Sequence, residues 1–182
     1  MTGLLALMLL TEARHAARAT SDGALVPLAE QDRSLWDRAL ISEGVSLVMD
    51  VLPKGRIGPF QLQAAIAAVH DEAPDVEATD WLEIVGLYRL LERIDPSPVV
   101  TLNHSVAVGM VEGPAAGLAM VDALLADGRL EGHHRVHVVR AHLLERAGDV
   151  DGACAELREA IRRTTSTPEQ RHLQRRLAEL AG

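Results

Sequence analysis

The sequence predicts an all-α protein: about nine helices stacked in antiparallel pairs. Three observations predict it. Apolar residues make up 48% of the 182-residue chain but aromatics only 2%, so the core must be built from Leu, Val, Ala and Ile. Abundant Ala and Leu without β-branched runs favours helix. Helix start signals recur at short intervals, and no alternating segment of useful length asks for a strand.

The first helix is expected near 3–18. Leu4, Leu5, Leu7, Met8, Leu9 and Leu10 cover every direction around it. A helix apolar all round is buried on all sides or packs against something else. Coming directly after Met1, it implies a chain that begins part-way through a larger protein. Residues 19–33 are polar enough to form a surface loop. In the stretch LAEQDRSLWDRALI, residues 28–41, Ser34-Leu35-Trp36-Asp37 has the spacing of a helix cap, with Asp32 as a rival cap. A helix near 35–52 follows. The others are expected near 59–70, 81–94, 98–111, 114–126, 133–146, 150–163 and 168–180. Pro59, Pro98, Pro114 and Pro168 stand at first helical positions, where a missing N–H costs nothing. Asp80-Trp81-Leu82-Glu83 and Thr167-Pro168-Glu169-Gln170 have capping-box spacing. Trp81, Ile84, Tyr88 and Leu91 line one apolar face, Val99, Leu102, Val106 and Met110 a second, and Leu173, Leu177 and Leu180 a third. Residues 71–79, with Asp71, Glu72, Asp75 and Glu77, read as a second, acidic surface loop.

A repeat is visible in the second half. Gly113 and Gly148 lie 35 residues apart, each between two helices. Before Gly148 stand Ala141 and Leu144; after it come Ala153, Leu157 and Ala160. That small-large-small rhythm matches the tetratricopeptide pattern, in which small residues let paired helices approach closely. Ala116, Val121 and Ala123 give a blurred first copy, and residues 59–96 a more degenerate one with an enlarged loop. The expected organisation is a helical region at 1–95 carrying the long loop 19–33, then helix pairs at 96–182. Together they would form one continuous right-handed superhelix with a concave side available for binding.

Composition excludes several functions. A net charge of −8 is wrong for gripping a phosphate backbone, which needs a basic surface to displace counterions. The lone Cys154 allows no internal disulfide, and the N-terminal apolar run is too short to span a bilayer and lacks a positive n-region. The expected compartment is the cytoplasm. His133 and His137 have the i,i+4 spacing of a zinc pair, but no Glu follows the first His as a metalloprotease needs. They read as packed or surface imidazoles, as do His134 and His142. Cys154 lies beside Ala153 on a packing face and reads as a small buried hydrophobe. No phosphate loop, Ser-His-Asp order or dinucleotide fingerprint is present, so neither catalysis, metal nor cofactor is expected.

One constellation stands out. Glu30, Gln31, Asp32 and Arg33 crowd one side of Trp36, while Gln61, Gln63 and His70 punctuate an Ala-rich helix. Buried amides must find partners, and the two segments are expected to supply each other. The resulting hub would fix the loop and shape a partner-facing groove.

The stretches GLLALMLLTEARHAAR, DGALVPLAEQDRSLWDRALI, GPFQLQAAIAAVHDEAP, PSPVVTLNHSVAV and EGPAAGLAMVDAL occur here in that order. In this they resemble the C-terminal extension of a group of extracytoplasmic-function RNA polymerase sigma factors. In that group a tetratricopeptide-like extension follows two sigma domains that bind core polymerase and promoter DNA; the sigma domains themselves are not in this sequence. The resemblance implies a non-catalytic module acting in transcription initiation through contacts with sigma domains, core polymerase or another protein. The alternative is a free-standing adaptor for a partner protein or peptide. A lysine clamp for peptide carboxylates belongs to that class, and Lys54 is the sole lysine.

Overall fold

The computed structural model describes residues 2–51 and 57–182. It is an all-α fold of stacked helices, with no strand among the described residues. The helices are α1 (Thr2–Ala13), α2 (Arg38–Val51), α3 (Pro59–Glu72), α4 (Trp81–Ile94), α5 (Pro98–Val111), α6 (Pro114–Ala126), α7 (His134–Arg146), α8 (Val150–Arg163) and α9 (Thr167–Ala181). Four of these, α4, α5, α6 and α8, start and stop where the apolar periodicity and start signals place them.

Two differences at helix starts have a clear cause. Ser34 does not cap α2. Instead Asp32 caps a short 3-10 turn, Arg33–Leu35, by accepting from the Ser34 N–H at 2.9 Å. Trp36 follows in extended backbone. Asp37 then opens α2, its Oδ1 accepting from Ala39 N–H at 2.9 Å and Leu40 N–H at 3.1 Å. Three acceptor side chains lie within six residues, and the one nearest the continuous apolar stripe wins. At α9 no capping box forms at Thr167. The helix already includes Thr167, and Glu169 and Gln170 reach back to Thr164 instead. Asp80 does cap α4, accepting from Glu83 N–H at 2.9 Å.

The chain divides into two compact units, Met1–Thr20 with Val26–Pro96, and Ser21–Leu25 with Ser97–Gly182. In the first, α1 packs on α2 and α3, which also touch each other, and α4 lies on α3. Four contacts set the directions. The Asp37 N–H donates to the Ala13 carbonyl at 2.9 Å, and Gly44 sits so close to Leu10 that a Cβ there would meet its side chain at 2.7 Å. So α2 runs antiparallel to α1. Gly3 lies against Gln61 and Arg14 against Asp71, so α3 runs parallel to α1. The interior is Ala6, Leu10, Ala13, Trp36, Ile41, Val48 and the alanines of α3.

In the second unit each helix packs on the next, and α5 also touches α7. The α7–α8 pair carries the expected buried Ala141, Ala153, Leu157 and Ala160. The α5–α6 pair does not use Ala116 and Ala123 as its small positions: Ala116 is half-buried and Ala123 exposed. Gly109 and Gly117 take that place. A Cβ on Gly117 would meet the Ser105 carbonyl at 2.6 Å, and one on Gly109 the Leu143 Cδ2 at 2.4 Å. Leu143 of α7 thus fills the space that two missing side chains leave between α5 and α6. Ser21–Leu25 is pinned to α9 in the same unit, where Arg171 donates to the Asp22 carbonyl at 2.8 Å.

Candidate functional site: a buried polar clamp

The directions of α1, α2 and α3 give the first unit two unlike ends. The end of α1, the start of α2 and the end of α3 meet at one of them, and the polar residues collect there. Arg33 is its centre. One guanidinium nitrogen donates to the His70 and Ala73 carbonyls, each at 2.6 Å. These belong to the last turn of α3 and the residue after it, where helical carbonyls have no partner of their own. The same guanidinium lies 4.8 Å over the Trp36 ring, a cation–π contact. Trp36 is only 3% exposed and packs among the alanines. The His70 ring meets Trp81 edge-on at 5.2 Å, and the Trp81 indole donates to the Val76 carbonyl at 3.1 Å.

Beneath Arg33 lies Asp71, completely buried in the final turn of α3. Arg14, just past α1, faces it with Nε 3.5 Å from Oδ1. Neither carboxylate oxygen makes a hydrogen bond among the described residues, nor does Arg14 Nε. Burial pushes the Asp71 carboxyl up to about 6, against the opposing pull of Arg14, Arg33, Arg18 and Arg38. Burial also pushes His70 down to about 4, with Arg14 and Arg33 adding to the effect. A carboxylate without accessible surface reaches no substrate. What the arrangement does is tie three chain segments, 14–18, 31–38 and 70–73, to one point.

Of the residues singled out in the sequence, Arg33, Trp36 and His70 meet here. Gln31 serves its own loop, donating to the Val26 carbonyl at 3.1 Å. Glu30 and Asp32 are exposed. Gln61 and Gln63 do not join the cluster: they lie in the first half of α3, where Gln61 packs on Gly3. At 1.5 Å of rise per residue that is roughly 10–14 Å along the helix from His70. The expected exchange between the two segments therefore runs through Arg33 and the α3 carbonyls, not through the glutamines. Arg14 and Asp71 escaped notice. The acidic composition of 71–79 reads as a surface loop, yet α3 runs on to Glu72. A signal existed: Ala64, Ala68 and Asp71 share the spacing of one buried face.

Elsewhere three of the histidines find partners within the second unit. His137 Nδ1 lies 2.7 Å from Glu156, which also pairs with Arg140, and His134 Nε2 lies 2.9 Å from Glu169. His133 caps α7, its Nδ1 accepting from Arg135 N–H at 3.3 Å. Among the described residues no three His, Cys, Asp or Glu side chains are placed to hold a metal ion. Cys154 is buried. No helix among them is long and apolar enough to cross a membrane. Lys54 lies outside the described residues.

Comparison with known proteins adds the following. The model of a family of unknown function, DUF6596, matches residues 1–52. The chain is similar to an uncharacterized protein of Rhizobium meliloti (strain 1021), with 45% identity over 181 residues. That match takes in 100% of this chain but 42% of the relative, so the chain spans less than half the length of the protein it resembles. No solved structure matches it.

Proposed function

We propose that this chain is a non-catalytic interaction module of an extracytoplasmic-function sigma-factor system, acting in transcription initiation in the cytoplasm through contacts with sigma domains, core RNA polymerase or another protein. One observation carries the interaction half of this reading. Helix α1 is apolar on both faces and covers only one of them. Its buried positions are Gly3, Ala6, Leu10 and Ala13, while Leu4, Leu5 and Met8 are 41%, 48% and 60% exposed. Leu10 and three small residues face inward, while three large apolar side chains face outward, unlike a surface helix that ends at solvent. The transcription half is supported by the ordered resemblance to sigma-factor extensions over nearly the whole chain. A relative more than twice as long agrees with a module joined to further domains. The acidic balance speaks against DNA as the direct partner.

A pull-down with core polymerase and with isolated sigma domains tests the proposal. Retention of either is expected; retention of neither overturns direct contact with the initiation machinery. The tight α5–α6 and α7–α8 pairs favour a second reading, a free-standing adaptor for a partner protein or peptide. Capture of a defined peptide together with failure to retain both transcription components would select it.

A further inference from the structure

Among the described residues, the end of the first unit opposite the clamp exposes large apolar side chains. Because α2 runs antiparallel and α3 parallel to α1, Leu4 and Leu5 lie level with Met49 near the end of α2 and with Phe60 in the first turn of α3. All of them, and Met8 one turn along α1, are exposed. No charged side chain precedes Glu12 on α1, and Asp50 is the nearest charge on α2. Five large apolar groups of this kind offer on the order of 500 Å² of surface, as large as the biggest patch of an ordinary monomer.

The chemistry of the patch distinguishes a lasting cover from a passing one. Interfaces that form and dissolve are about as polar as the rest of a protein surface, whereas permanent ones are markedly more apolar. A transient partner also needs charge to steer and register it, and among the described residues of this end only Asp50 supplies any. Two facts favour a cover within the same polypeptide. More than half of the Rhizobium relative lies outside the region that matches this chain. The family match over 1–52 takes in α1 and α2, hence four of the five exposed groups.

We infer that the Leu4, Leu5, Met8, Met49 and Phe60 end is a permanent intramolecular interface, covered by an apolar helical face of the neighbouring domain of the longer protein. This rests on the reading of the chain as one module of a longer transcription factor, in which that domain is a sigma domain. The polar clamp at the other end then holds together the far ends of α1, α2 and α3, the helices that present the surface.

Met8→Cys tests it, made in this chain and at the aligned position of the full-length Rhizobium protein. Each is labelled with a bulky maleimide and read peptide by peptide in a mass spectrometer, so that buried Cys154 does not interfere. Rapid labelling is expected in this chain, and labelling roughly tenfold or more slower in the longer protein, where the site opens only by fluctuation. Equal rates overturn the inference. So does slow labelling of this chain that quickens on dilution, because a second copy is then the cover. Protection in the longer protein without retention of sigma domains or polymerase would remove the transcription reading and leave the interface. Retention with an unprotected cysteine would do the reverse.

Discussion

His70 and Asp71 are neighbours whose burial acts on stability in opposite directions, and separate substitutions can expose each effect. Asp71 has its carboxyl raised from 3.8 to about 6 in the folded chain. Its contribution is therefore fully present below pH 3.8 and is lost as pH rises through about 6. His70 is lowered from 6.5 to about 4, so its contribution is present above 6.5 and is lost as pH falls toward 4. At 1.36 kcal/mol per unit, each is worth about 3 kcal/mol across nearly the same window. In the parent chain they offset each other, and the pair adds little slope between pH 4 and 6.5. Asp71→Asn removes one side: stability relative to the parent should fall by about 3 kcal/mol on going from pH 6.5 to 4. His70→Gln should do the opposite, rising relative to the parent by about 3 kcal/mol over the same range. Urea unfolding followed by tryptophan fluorescence measures this, since Trp36 and Trp81 both lie in the first unit. Taking differences from the parent at each pH subtracts the other carboxylates. Parallel pH profiles for Asp71→Asn and the parent would refute the burial argument.

Trp36→Ala removes a large buried aromatic together with its Arg33 contact, and should cost about 3–5 kcal/mol, read from the unfolding midpoint of the remaining Trp81 fluorescence. An unchanged midpoint would refute the packing role of Trp36. Arg33→Ala leaves the His70 and Ala73 carbonyls without their shared donor, so thermal unfolding should show a loss of about 2–3 kcal/mol. Gly117→Ala forces a Cβ against the Ser105 carbonyl, which cannot move aside as a flexible side chain can; a loss of about 2 kcal/mol or more is expected by calorimetry. Gly86→Ala is its counterpart. Nothing lies within 4 Å of the added carbon, so helix propensity alone should act and stability should rise by about 1 kcal/mol.

The helices of the second half were legible because several local signals agreed at each of them. Pro98 and Pro114 fix starts, the glycines at 113, 128 and 148, all at positive φ, fix stops, and the apolar spacing runs unbroken between. The loop 19–37 was less so. Asp32, Ser34 and Asp37 are all competent caps, and only packing of Trp36 into the alanine core decides that Asp37 opens α2. Spacing on one helix also cannot tell which end of it a distant segment meets. Gln61 and His70 looked like members of one cluster because they share α3, but they stand in its first and last turns, and Arg33 meets only the last.

Asp71 is the more instructive miss, because composition pointed the wrong way. Among Glu72, Asp75 and Glu77 it looks like one more solvated carboxylate, and a fully buried carboxylate costs several kcal/mol unless it is compensated. The compensation comes from four arginines, at 14, 18, 33 and 38, of which the nearest in sequence is 33 residues away. No local window holds that information. An apolar residue of similar volume at 71 would pack among the same alanines without the desolvation penalty, yet it would leave Arg14 buried without its anion. Arg14 and Asp71 therefore have to be replaced together. A double variant with two apolar residues should recover much of the stability that either single variant loses. If the double variant instead binds its partner less well while unfolding no more readily, the clamp is aligning the interaction surface rather than holding the fold together.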